Sequence, residues 1–258
     1  MAEAESTPRS IDTPRPARRR SSDLRIEQQP GIVLHSYAWR ETSLIVEAFT
    51  RDFGRVALVA RGAKRPTSQF RGMLAPFCPV ALSWSGRNEI RNLVRAEWVG
   101  GLPPLRGDAL LAAFYASELL VRLLARGDPH EQLFERYLHS LHALADGPPH
   151  APTLRKFELD LLREIGYAVP LDCCIDGHPI DAEARYAFDA GAGARRHDGQ
   201  NGELETVAGR TLLALARRDF DDPVVAAESR AMLRRLIRYH LDDKPLNTRR
   251  ILQDLRNL

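Results

Sequence analysis

Between Gly31 and Gly101 the chain is cut into five short apolar runs, none long enough for a convincing helix. The runs are GIVLHSY (31–37), TSLIVEAFT (42–50), RVALVARG (55–62), FCPVALSW (77–84) and IRNLVRAEWVGG (90–101). In the third, Val56, Leu58 and Ala60 fall to one side and Ala57 and Val59 to the other, which is the period of a strand. RDFG (51–54), SGRNE (85–89) and a polar stretch broken by Pro66 supply the turns. Five short strands with Gly and Pro turns close into a small barrel or a sandwich. At five strands the expectation is the small oligonucleotide-binding (OB) barrel.

Charge then suggests what such a barrel holds. Between Gly31 and Gly101 ten Arg and Lys stand against five Asp and Glu, although the whole chain is only +3. From Phe53 to Arg87 there is no acid at all. Arg55, Arg61, Lys64, Arg65 and Arg71 form the centre of this single-sign patch. Lys and Arg bind phosphate regardless of base sequence. Single-strand binders add aromatic platforms to a basic groove. Tyr37, Trp39, Phe49, Phe53, Phe70, Phe77 and Trp84 lie nearby in sequence. A barrel this small needs most of these rings for its core. Phe70 and Trp39, with polar flanks, are the ones expected to reach a base.

From Asp108 the period becomes helical. DALLAAFYASELLVRLLARG (108–127), DPHEQLFERYLHSLHALADG (128–147) and APTLRKFELDLLREIGY (151–167) read as three antiparallel helices with short connections. Residues 168–205 are rich in Gly, Asp and Ala and read as irregular. Further helices are expected at 206–220, 226–245 and 246–258, the last capped by Asn247 or Thr248. Arg230, Arg234 and Arg238, spaced by four with Arg235 beside them, read as the cationic face of the second of these.

Residues 1–29, with three Pro and the triplet Arg18, Arg19, Arg20, hold too little apolar surface to offset their ordering entropy and read as a disordered basic tail. An odd cysteine count (Cys78, Cys173, Cys174) is no disulfide framework and fits a reducing compartment. No apolar run reaches the length of a membrane span, so a cytoplasmic protein with no membrane contact is expected. Cys173, Cys174 and His178, with His197 as a distant fourth, lack the spacing of a zinc site. No phosphate loop, metal-hydrolase or nucleophile motif is present, and neither an enzyme nor a cofactor is expected. An RNA-binding barrel and a protein-binding adaptor with incidental charge stay open on these grounds.

The order of RETSLI, FTRDFGR, ARGAKR, FRGMLAPFCPVAL, YASELLVRLL, RKFELDLLREIGY and KPLNTR resembles RecO, a family of bacterial recombination mediators in DNA repair. The likeness covers roughly residues 30–250. It implies an α+β chain: a disordered tail (1–29), an OB domain (30–102) and a helical domain (103–258). It also implies binding of single- and double-stranded DNA, annealing of complementary strands, and capture of the acidic C-terminal tail of single-strand-binding protein. RecR is the implied partner and loading of RecA the implied outcome, in the RecF pathway at the nucleoid. The DNA contacts are then expected from Arg40, Arg51, Arg55, Arg61, Lys64, Arg65, Phe70 and Arg71, and the tail contacts from Arg155, Lys156 and Phe157. Many relatives carry a four-cysteine zinc module after the IGY segment; with only Cys173 and Cys174 there, the resemblance implies a metal-free relic at 168–205.

Overall fold

A computed structural model of the chain describes residues 25–198, 206–248 and 250. Five strands close the N-terminal barrel: β1 (Arg25–Trp39), β2 (Ser43–Thr50), β3 (Gly54–Ala60), β4 (Pro79–Ser85) and β5 (Ile90–Trp98). Their order around the barrel is β1-β2-β3-β5-β4, with β3 and β5 parallel and the other pairs antiparallel. Strand β1 is long enough to pair twice, with β2 over Gly31–Trp39 and with β4 over Arg25–Ile32. The strand therefore begins inside the segment expected to be tail. RIEQQ carries no apolar alternation because its outer face is solvated, yet its backbone pairs with β4. Residues 1–24 lie outside the described residues.

Val33, Val46, Ala48, Val56, Leu58, Val80, Leu82, Trp84 and Leu93 fill the barrel. Strand β2 is buried on both faces, which explains its nearly continuous apolar run. Its inward residues are Val46 and Ala48, while Phe49 joins a second core shared with the helices.

That second core is built on α1 (Gly107–Leu123), α2 (Glu131–Ala145) and α3 (His150–Glu164). Helix α1 buries Ala109, Ala112, Ala113, Ala116, Leu119 and Leu120, a small-residue face that allows close approach. Ile32, Leu34, Phe49 and Phe77 of the barrel enter the same cluster. Phe77 meets Phe114 edge to face at 4.8 Å between centroids, and Phe49 meets Phe134 at 5.6 Å. The barrel and the helices are thus joined by buried aromatic contact rather than by a tether.

The C-terminal unit is not all-helical. The stretch expected to be irregular holds β6 (Arg185–Asp189) and β7 (Gly193–Arg196), which with β8 (Thr206–Ala208) form a small sheet of order β7-β6-β8. Helices α4 (Gly209–Arg217) and α5 (Pro223–His240) follow, and Asp222 caps α5 by accepting from the Val224 and Val225 amides. Residues 199–205 and 251–258, which include most of the expected last helix, lie outside the described residues. At its described start the Asn247 and Thr248 amides donate to the Glu118 carboxylate on α1, at 2.7 and 2.8 Å, and the Thr248 hydroxyl donates to it at 2.9 Å.

Cys173 and Cys174 sit in a tight turn in which the Cys174 amide donates to the His178 carbonyl at 2.7 Å. Burial pushes the Cys174 thiol up from its ordinary value. Among the described residues no three metal-binding side chains converge.

Candidate nucleic-acid interface

One end of the barrel gathers exposed cations. The β1–β2 turn carries Arg40, held at φ +54°. The β3–β4 connection, residues 61–78, starts beside it, since the Lys64 amide donates to the Thr42 carbonyl at 2.9 Å. The connection is a chain of tight turns: Arg65 amide to Gly62 carbonyl, Ser68 to Arg65, Arg71 to Ser68, and Met73 to Phe70. Arg40, Arg61, Lys64, Arg65 and Arg71 are all exposed. Among the described residues no carboxylate pairs with any of the five. Strand β1 adds rings at alternate positions on the same hairpin: His35 stacks with Tyr37 at 6.1 Å, and Trp39 follows, 42 % exposed. Trp39 pairs with Ser43, and Leu44 with Ala60, so this aromatic edge ends where the basic loop begins. Cations with no carboxylate partner among the described residues, next to exposed rings, can hold phosphates and stack bases.

Three of the expected contacts lie elsewhere. Phe70 is not a stacking platform. It is buried in the barrel core with Leu74, and the two pin the basic loop to the barrel. Arg51 is tied to Asp52 at 2.9 Å and to Glu131 at 3.8 Å. The hydrogen bond from Arg51 to Asp52 and the attraction between them raise its already high pKa. Arg55 belongs to the junction between barrel and helices. Its Nη1 donates to Glu47 at 2.9 Å, its Nε donates to the Leu124 carbonyl at 3.1 Å, and its own carbonyl accepts from Gly127 at 2.9 Å. Glu47 is 4 % exposed and also takes Arg126, which reaches on to Glu89. Gly54 completes the clamp: it sits at φ +61°, and a Cβ there would lie 1.7 Å from the Asp128 carbonyl oxygen. The FTRDFGR segment is therefore part of the packed junction between the two units. Its signal was visible as Glu47, the one acid inside the apolar run LIVEAF, which needs a cation when buried.

Three charges of LRKFELDLLREIGY are likewise internal: Arg155, Glu158 and Asp160. Phe157 is fully buried and packs against Tyr137, with ring centroids 5.7 Å apart. Arg155, expected at a pocket rim, is 8 % exposed and paired with Glu158, three residues on. Glu158 also accepts from the Tyr115 hydroxyl at 2.7 Å. Burial pushes the Glu158 carboxyl up against the pull of Arg155 and Tyr115. Asp160 staples the bundle by accepting from Arg136 of α2 at 2.7 Å and from Arg218 at the end of α4. Lys156 alone of the three expected tail contacts is exposed. On α5, Arg238 pairs with Asp243 at 2.8 Å and Arg235 donates to the Phe188 carbonyl at 3.3 Å, so that face is partly engaged within the chain. Trp98, missed in the sequence among the barrel aromatics, is 69 % exposed.

Comparison with known proteins agrees with this architecture. Residues 24–102 match the family model "Recombination protein O N terminal", and residues 105–250 match "Recombination protein O C terminal". A protein named DNA repair protein RecO from Ralstonia nicotianae is 50 % identical over 238 residues, covering 92 % of this chain and 88 % of that one. Its namesake from Paraburkholderia xenovorans is 48 % identical over 255 residues, covering 98 % and 85 %. That of Aromatoleum aromaticum is 49 % identical over 239 residues, covering 92 % and 100 %. The two matched models divide the chain between the barrel and the helical unit, and the likeness runs through most of each relative. The chain belongs to the RecO family of DNA repair proteins.

Proposed function

We propose that this chain is a recombination mediator: it binds single- and double-stranded DNA through the barrel end, anneals complementary strands, and helps load RecA onto strands coated by single-strand-binding protein, with RecR as partner. Its place of action is then the nucleoid, in the cytoplasm. The observation that carries the reading is the set of five exposed cations, Arg40, Arg61, Lys64, Arg65 and Arg71, with no carboxylate partner among the described residues and with Trp39 and Tyr37 at their edge. Such contacts are sequence-tolerant, as a protein that must accept any pair of complementary strands requires. The work is binding and alignment, and no covalent step is asked of the chain.

For the acidic tail of single-strand-binding protein, the helical unit offers Lys156 at its surface and Arg155 just beneath. Engagement of Arg155 requires the tail carboxylate to replace Glu158 as its partner. Strand annealing of complementary oligonucleotides, with and without single-strand-binding protein, tests the function. Acceleration in both conditions is expected. A protein that binds neither strand, or that binds RNA and DNA alike without annealing either, contradicts it.

A further inference from the structure

We propose that the groove between the β3–β4 connection and strand β5 is a second base-accepting subsite, in which an unstacked base of a single strand lies on the Trp98 indole. The inference rests on the DNA-binding reading above and extends it to a part of the barrel remote from Trp39. The groove is lined by Gln69, Met73, Arg95, Ala96, Glu97 and Trp98 and measures about 390 Å³, within the range of small-ligand pockets. Trp98 is the most exposed large apolar side chain among the described residues. A Cβ built on Gly100 would lie 3.6 Å from the indole, so the chain turns back along one side of the ring. An aromatic so held and so exposed is a stacking platform for any base.

The rest of the groove suits a nucleotide. Glu97 is charge-paired with Arg95 at 2.7 Å and accepts a hydrogen bond from the Gln28 side-chain amide, which leaves a polar edge without net repulsion for phosphate. Gln69 donates to the Val94 carbonyl at 3.2 Å and fastens the connection to β5. Arg71, exposed and unpaired with any acid among the described residues, lies between Gln69 and Met73 in the chain. The segment that starts beside Trp39 with Arg61, Lys64 and Arg65 thus reaches the Trp98 groove with Gln69 and Met73, which flank Arg71 in the chain. Trp98 is level with Val80, and Val80 with Gly31. Gly31 and Trp39 are ends of one run of β1, so the two indoles are separated by roughly 26 Å of strand rise. A strand of several nucleotides bridges that distance, in keeping with OB site sizes of about 4–16 nucleotides.

The chain has three tryptophans, and Trp84 is buried. In a Trp39→Phe variant Trp98 is therefore the exposed reporter. Oligothymidine long enough to span both sites should quench its emission. Trp98→Ala should weaken binding of that oligonucleotide by about tenfold, the effect of one lost stacked base, and Trp98→Phe should retain most of the affinity. A very short oligonucleotide that occupies only the Trp39 end should be indifferent to Trp98→Ala. If labelled oligonucleotide binds Trp39→Phe by anisotropy with no change in emission, and Trp98→Ala keeps wild-type affinity at all lengths, the subsite is wrong while the DNA-binding reading stands. If wild type binds no oligonucleotide, both fall. Concentration-dependent self-association abolished by Trp98→Ala, with DNA affinity unchanged, would assign the groove to a second copy instead.

Discussion

Replacing Arg55 with Ala should damage the fold and spare DNA binding per folded molecule, although Arg55 lies at the centre of the basic sequence. Glu47 is buried, and Arg55 is one of its two cations. Removal of one partner from a buried ion pair costs about 3–5 kcal/mol when the other charge is stranded. Here Arg126 remains on Glu47, which lowers the penalty. The variant also loses the donor to the Leu124 carbonyl, a bond of about 0.5–1.5 kcal/mol net. Together these place the loss at about 2–4 kcal/mol. With a urea m-value of about 1–3 kcal/mol per molar, the unfolding midpoint should fall by roughly 1–2 M. Arg65→Ala is the control: its side chain is exposed and pairs with no acid among the described residues, so stability should stay within about 0.5 kcal/mol while DNA affinity falls. Wild-type stability for Arg55→Ala, with weakened and less salt-sensitive DNA binding, would refute the assignment and return Arg55 to the phosphate contacts.

Other perturbations separate core from contact in the same way. Phe70→Ala should cost about 3–5 kcal/mol by emptying the barrel core and freeing the basic loop, whereas Trp39→Ala should leave the unfolding midpoint nearly unchanged and weaken single-strand binding. Arg155→Ala should destabilise the helical unit by stranding the buried Glu158, so tail-peptide binding is better tested with Lys156→Ala, which should lower peptide affinity without moving the midpoint. Glu118 gives a pH signature. Partial burial opposes its ionisation, but the Thr248 and Asn247 hydrogen bonds and Arg122 outweigh this and hold its carboxyl below the usual range. A lowered folded pKa means stability that is full above the ordinary carboxylate value of about 4.3 and lost as pH falls from there through the lowered folded value. The Tm difference between wild type and Glu118→Gln should be largest at neutral pH and close below about pH 4.

The barrel was legible because its strands alternate or run apolar between strong turns, and because closure leaves few ways to hide five edges. Its start was not, since the polar RIEQQ strand shows its pairing only in backbone hydrogen bonds to β4. The helices were legible from their period, but the small sheet was not: β8 spans three residues and β7 four, too few for a period to register. For the interface, the sign of the charge was readable and its partners were not. Lys64 and Arg55 look alike in the sequence. One ends in solvent and the other against Glu47, because β2 and β3 pair antiparallel and set Arg55 opposite Phe49 at the helical junction. Phe70 misled for a related reason. Polar neighbours mark a loop, but a loop of tight turns needs an apolar anchor, and Phe70 with Leu74 serves as that anchor.

The most direct test of the central claim is the salt dependence of single-strand binding by a Lys64→Ala, Arg65→Ala, Arg71→Ala triple variant. All three side chains are exposed, and none pairs with an acid among the described residues. The fold should therefore persist, with an unchanged unfolding midpoint. Each lost phosphate contact should remove about 0.7 from the slope of log K against log salt for single strands, about two units in all, with weaker binding at every sequence tested. A variant that keeps both the wild-type slope and the wild-type affinity would contradict the assignment of the DNA interface to this end of the barrel.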